Sequence, residues 1–221
     1  VSPDEKLIAY AEDVVSRREY TVRFKDLATD QLLEDKLLKV SPAMAWAADS
    51  ETLFYVEKDV ETLLPKRVYR HQLGTERKND IQGYEEQDAA FYTSVYATRS
   101  RQFVVISLQS TDSSEILLIP SNYPDNEPEL FLPREDKHKY RIRHIDGSFY
   151  ILTNWQAENY RLMRVEEDEI GNKFHWQEII PHRADVFLKD VEVFTDHLVV
   201  VEQENGLQNI RVIDTRDFSE R

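Results

Sequence analysis

A serine nucleophile needs a strained turn with glycines two positions to either side, the pattern G-x-S-x-G, so that its oxygen stands clear of the backbone. The glycines are Gly74, Gly83, Gly147, Gly171 and Gly206, and none begins that pattern. Gly147-Ser148 lies in IDGSFY, which reads as a hairpin turn, so Ser148 is not expected to attack a substrate. A histidine metal site needs two rings one helical turn apart or a tight cluster. His71, His138, His144, His175, His182 and His197 are scattered, and His138 and His144 sit on a predicted turn and strand. They read as packing or surface residues. With no cysteine, a thiol nucleophile, a Cys-ligated zinc and a disulfide framework are excluded. Carboxylates cluster in EEQD (85–88), EDK (135–137) and EEDE (166–169). Paired acids can hydrolyse glycosides if they face each other across a cleft, but runs of charge between strands are expected to be solvated. No glycine-rich phosphate loop is present. The expectation is therefore no catalytic residue, no metal and no cofactor within this chain.

Lys and Arg number 28 against 42 Asp and Glu, a net charge of −14 over 221 residues. That field repels nucleic-acid backbones and anionic lipid surfaces, so neither is expected as a partner. Basic ligands would suit it, although solubility alone accounts for such a charge. No apolar run approaches the roughly 18 residues of a membrane helix. The lack of cysteine fits a reducing, cytoplasmic compartment. The chain opens on VSPDE, in mid-pattern, which reads as a piece of a longer protein.

The elements that would carry any site repeat. SPDEKLIAYAED (2–13) and WAADSETLFYVEKD (46–59) say nearly the same thing: a turn, an acid, an apolar run and an acidic stop. Turn positions Asp4, Asp49, Ser100, Asp146 and Asp196 are spaced by 45, 51, 46 and 50 residues. Starts of the following strands, Tyr20, Arg67, Glu115, Tyr160 and Asn209, are spaced by 47, 48, 45 and 49. Periods of this size in strand-rich sequence mark propeller blades. The runs TLFYVEK, QFVVISLQ and SFYILTN are rich in Val, Ile, Phe and Tyr, whereas YTVRFKD, RVYRHQL and YRLMRVE alternate. DQLLEDKLLKV (30–40) has helix-like apolar spacing, but the period demands an outer strand there. The predicted fold is all-β: a partial β-propeller of about five blade units, at about 1–40, 41–87, 88–136, 137–183 and 184–221, three complete and two partial. Trp46, Trp155 and Trp176 are expected to pack between blades rather than to stack a ligand. Propellers close with four to eight blades, so raw blade faces and self-association are expected of such an arc.

AEDVVSRREYTVRFKDLATD, WAADSETLFYVEKDVETLLPKRVYRHQLGT, YEEQDAAFYTSVYATRSRQFVVISLQS, FYILTNWQAENYRL and IIPHRADVFL resemble the oligopeptidase B (protease II) branch of the prolyl oligopeptidase family along nearly the whole chain. The resemblance implies a seven-bladed propeller seated on an α/β-hydrolase domain that cleaves short peptides after Lys or Arg. The propeller would act as a substrate-size filter and interdomain lid. The hydrolase domain, with its triad and the acids that hold the basic side chain, would lie outside this sequence, in the same parent chain. The resemblance also singles out Ser16, Arg17 and Arg18, in the loop EDVVSRRE between the second and third strands of the first unit. It places Arg17 and Arg18 at the contact with the catalytic domain, with Arg18 in salt bridges that accompany closure. A planar guanidinium suits that task because it can hold a carboxylate through two bonds. Two other classes stand against this reading. One is a free-standing interaction propeller. The other is a glycosidase, for which the inner strands AMAWA, FYTSVYA and KYRIRHI offer no acids.

Overall fold

A computed structural model describes residues 1–216; the end of the expected unit 184–221 lies outside the described residues. The chain forms two compact units, residues 1–111 with 116–130 and residues 112–115 with 131–221.

The first sheet has six strands in chain order: β1 (Leu7–Glu12), β2 (Tyr20–Asp26), β3 (Leu32–Trp46), β4 (Thr52–Lys58), β5 (Pro65–Gln72) and β6 (Ile81–Glu85). The ambiguous stretch 30–40 is strand: it enters β3, a 15-residue element that pairs with β2 and then with β4. Its apolar pairs mimic helical spacing because one member of each faces outward. Leu32 and Leu38 are exposed while Leu37 and Val40 are buried. The alternation breaks at Lys39, whose φ of 55° is left-handed, and pairing with β4 shifts register between Val40 and Met44. Residue 40, the expected unit boundary, thus falls inside a strand.

A second sheet is ordered β10-β9-β8-β7, from β7 (Tyr92–Ala97), β8 (Phe103–Gln109), β9 (Ser114–Pro120) and β10 (Glu129–Leu132). The third runs β11 (Tyr140–Ile145), β12 (Ser148–Thr153), β13 (Arg161–Glu166) and β14 (Gln177–Ile180); the fourth runs β15 (Val186–Val193), β16 (His197–Glu204) and β17 (Leu207–Asp214). Antiparallel sheets of three to six strands, meandering in chain order, make this an all-β partial β-propeller. Strands β4, β8 and β12 are buried on both faces, which is why their sequences read as near-continuous apolar runs.

The repeated phrase is a repeated turn. In residues 2–7, 47–52 and 98–103 the first N–H donates to the carbonyl five residues on, at 2.8, 2.9 and 2.9 Å. Asp4, Asp49 and Ser100 each accept, through a side-chain oxygen, the N–H two residues ahead. The next residue is left-handed every time: Glu5 at 62°, Ser50 at 62° and Arg101 at 59°. The fourth marker differs. Asp146 (48°) and Gly147 (77°) form a two-residue hairpin between β11 and β12, with both central φ values positive.

Within the first unit, Phe24, Leu37, Trp46, Leu53 and Tyr55 make one apolar cluster and Phe54, Val68, Val95, Val104 and Ile106 belong to another. Trp46 packs edge-on to Phe24, with ring centres 5.8 Å apart. In the second unit Leu152, Leu162, Leu188, Leu198 and Val200 form the core. There Trp155 and Trp176 meet edge to face at 5.9 Å, and Trp176 is buried.

Candidate functional site

Ser148 opens β12 directly after the hairpin and is buried. Its hydroxyl donates to Glu166 Oε2 (2.8 Å) and accepts from Arg164 Nη2 (2.8 Å), both on β13. A serine becomes a nucleophile when an imidazole accepts its proton. The nearby His144 Nε2 instead lies 2.7 Å from Glu167 Oε1. Burial pulls the His144 ring below the usual histidine range, against the opposing pull of Glu167. Serine, histidine and carboxylate therefore share one sheet without forming a relay.

The acidic runs are more engaged than solvated loops would be. Glu85, on β6, pairs with Lys66 (3.3 Å) and Arg67 (3.2 Å), and Glu86 is buried, accepting from the Tyr84 hydroxyl at 3.1 Å. Glu135 meets Lys173, and Glu166 meets Arg164 at 2.9 Å. Of these acids only Glu86 is buried; Glu135 and Glu166 stay 49 % and 45 % exposed, so their pairs are surface ion pairs of small energetic weight. Among the described residues, no group of three or more His, Asp or Glu side chains is placed to hold a metal.

Two polar constellations were not legible from local sequence. Asp190 and Glu192 on β15 face Arg143 of β11 at 3.3 and 3.2 Å. In the first unit, His71 on β5 lies between Asp80 and Asp35, with Tyr55 completing the set. Its members come from three strands and a loop, so no motif spacing announces them.

Arg17 and Arg18 lie in the loop joining β1 to β2, as the strand reading placed them. Asp13 organises this loop. Its carboxylate accepts the N–H groups of Val15 (3.1 Å) and Arg18 (2.7 Å). Partial desolvation opposes ionisation, but these backbone donors prevail and hold Asp13 below the usual carboxylate range. Ser16 and Arg18 take left-handed φ values of 57° and 59°, which turns the loop back on itself. Lys58, at the end of β4, donates to the Arg18 carbonyl and lies 5.8 Å from the centre of the Tyr20 ring. Among the described residues neither guanidinium has a hydrogen-bond or ion-pair partner. In the same loop Val14 is 84 % and Val15 63 % exposed, between the charged Asp13 and Glu19, and Val60, in the loop after β4, is 88 % exposed.

Antiparallel sheets of three to six strands that meander in chain order define the class, a partial β-propeller domain. The chain belongs to the prolyl oligopeptidase family, as its N-terminal beta-propeller domain, the description of which matches residues 1–220. Among curated relatives, dipeptidyl aminopeptidase BI of Pseudoxanthomonas mexicana is 41 % identical over 96 % of this chain, and protease 2 of Moraxella lacunata 28 % over 96 %. The chain spans 29 % and 31 % of the lengths of those two proteins. Oligopeptidase B from Leishmania major superposes on all of it with a TM-score of 0.90 at 28 % identity, the match covering 32 % of that structure.

Proposed function

We propose that this chain is the substrate-size filter and interdomain lid of a serine oligopeptidase that cleaves short peptides after Lys or Arg. Its partner would be an α/β-hydrolase catalytic domain in the same parent protein, and its blade units would fall at about 1–40, 41–87, 88–136, 137–183 and 184–221. One observation carries the reading: the Asp13-ordered loop, where Arg17 and Arg18 have no ion-pair partner among the described residues and share the loop with exposed Val14 and Val15. Bare valines favour a covered surface, and free guanidiniums favour carboxylates on whatever covers it. The net charge of −14 suits short basic peptides and disfavours nucleic acid and anionic membranes. Among the described residues no helix is long and apolar enough to cross a membrane. We place the parent protein in the cytoplasm, with the absence of cysteine in support.

The test uses the full-length protein, short Arg-containing fluorogenic peptides and a long unfolded polypeptide. Replacing both Arg17 and Arg18 by Glu is expected to lower kcat/KM on the short peptide about tenfold, which corresponds to ~1.4 kcal/mol. It is also expected to steepen the salt dependence less than the native pair does. Unchanged kinetics would remove the interdomain role, and peptidase activity in residues 1–221 alone would remove the lid.

The 41 % identical relative is named a dipeptidyl aminopeptidase, which favours a second reading for the parent enzyme: release of dipeptides from free amino ends. Comparing an amino-blocked Arg substrate with its free-amine counterpart separates the two. Cleavage of the blocked substrate supports the oligopeptidase reading; strict dependence on the free amine supports the other.

A further inference from the structure

One buried ring in the first unit is clasped from both sides. His71 Nδ1 lies 2.7 Å from Asp80 Oδ1, and its Nε2 lies 3.2 Å from Asp35 Oδ1. The three side chains are 1 %, 2 % and 9 % exposed. Asp35 belongs to β3, His71 to β5, and Asp80 ends the connection from β5 to β6. Both carboxylates are already acceptors. The Tyr55 hydroxyl donates to Asp80 Oδ2 at 2.9 Å, and the Gly74 N–H donates to Asp35 Oδ1 at 2.6 Å.

A neutral imidazole carries one N–H, and an ionised carboxylate only accepts. With a carboxylate oxygen at each nitrogen, a neutral ring would leave one pair of lone pairs facing each other in a buried site. With both carboxylates ionised, only the doubly protonated ring satisfies both contacts. We infer that His71 is held as an imidazolium and works as a pH-sensitive latch, fastening the connection 73–80 to β3.

The other groups around the ring flank it without replacing its partners. Phe24 of β2 lies against it with ring centres 5.9 Å apart, and Leu53 of β4 is its cross-strand neighbour. Arg77 sits 5.8 Å from the Tyr55 ring centre, and its guanidinium is engaged by Glu57 of β4 and the Leu38 carbonyl. Glu34, Lys36 and Glu76 rim a cleft of about 400 Å³ that opens beside the ring. Burial by itself would lower the basicity of His71, but Asp80 and then Asp35 outweigh it, so the ring stays protonated above the usual histidine range.

The sign follows from that direction. A group that binds its proton more tightly when folded stabilises the fold fully below its unfolded value of about 6.5. That contribution is lost as pH rises through the higher folded value. Alkaline pH therefore opens the latch. The connection 73–80 then loses one of the two His71 contacts and keeps the Gly74 N–H bond to Asp35, the Tyr55 hydroxyl bond to Asp80, the Arg77 ties and its own turns, and the wall of the cleft formed by Gly74, Thr75 and Glu76 loosens.

The test is made on the full-length protein with ¹⁵N-labelled histidine. The spectrum is expected to show His71 protonated on both nitrogens at neutral pH, with a midpoint above that of an exposed histidine. Hydrogen exchange across 73–80, corrected for the intrinsic pH dependence of exchange, is expected to accelerate tenfold or more as the ring titrates, while β8 keeps its protection. Asp35→Asn keeps an acceptor at Nε2 but removes a charge, and is expected to lower the midpoint by roughly one pH unit. That shift also assigns the signal if His71→Gln does not fold. A singly protonated ring at pH 6, flat protection of 73–80 from pH 6 to 9, or an unmoved midpoint in Asp35→Asn would each overturn the latch.

Discussion

His138 is buried without a carboxylate in bonding contact, and its chemistry differs accordingly from that of a clasped ring. Its Nε2 lies 2.9 Å from the Thr153 hydroxyl, and the nearest acid, Glu135, is 3.8 Å from Nδ1. Burial first, then the charge of Lys173, press its pKa down to about 4 against the weaker pull of Glu135. The folded protein thus keeps this ring neutral while the unfolded chain protonates it below about pH 6.5. Stability is expected to fall as pH drops from 6.5 toward 4, by on the order of 3 kcal/mol across that window. Urea unfolding at pH 7, 6 and 5 checks this, and His138→Gln should flatten the acid limb. Ser148 makes a different demand. Truncating it to Ala leaves Glu166 and Arg164 still paired with each other, so a loss of about 1 kcal/mol is expected in denaturant unfolding. The peptidase activity proposed above for the full-length protein should be unchanged. The sequence excluded this serine by its missing glycines; the structure adds that its oxygen is already bonded twice.

Turns and strands were the most legible elements, because both rest on local chemistry. Asp49 shows why. Its carboxylate accepts the N–H groups of Glu51 (2.9 Å) and Thr52 (2.8 Å) and the Thr52 hydroxyl (2.6 Å). An Asp before a strand is therefore a turn signal with a mechanism, and Asp49→Ala is expected to cost about 1 to 2 kcal/mol in urea unfolding. Gly147 carries a two-residue hairpin at φ 77°, with open space where a Cβ would stand. Gly147→Ala therefore meets only backbone strain, about 1 kcal/mol by the same measurement. β3 was the hard element. Its leucine pairs have helix-like spacing, the repeat argued for a strand, and pairing on both sides with β2 and β4 makes it one.

At the scale of the whole molecule, unpaired edges matter most. Among the described residues β17 is the edge strand of its sheet, with Leu207 and Ile210 71 % and 69 % exposed. An apolar edge strand is a template for pairing. Residues 1–221 produced alone are therefore expected to self-associate, with sedimentation equilibrium showing a mass that rises with concentration; Ile210→Lys should reduce it. The all-β class, the recurring turns and the family were legible in the sequence, because side-chain period and turn chemistry act over a few residues and repeat. The sequence also carried Arg17 and Arg18 to a loop, since the strands on either side are locally encoded. Which polar groups meet depends instead on how distant strands pair. Asp35, Tyr55, His71 and Asp80 are spread over 46 residues and converge because β3, β4 and β5 pair side by side. Asp190 and Glu192 find Arg143 nearly fifty residues away in the same manner. Charge and protonation are set by such distant neighbours, and sequence spacing carries no record of them.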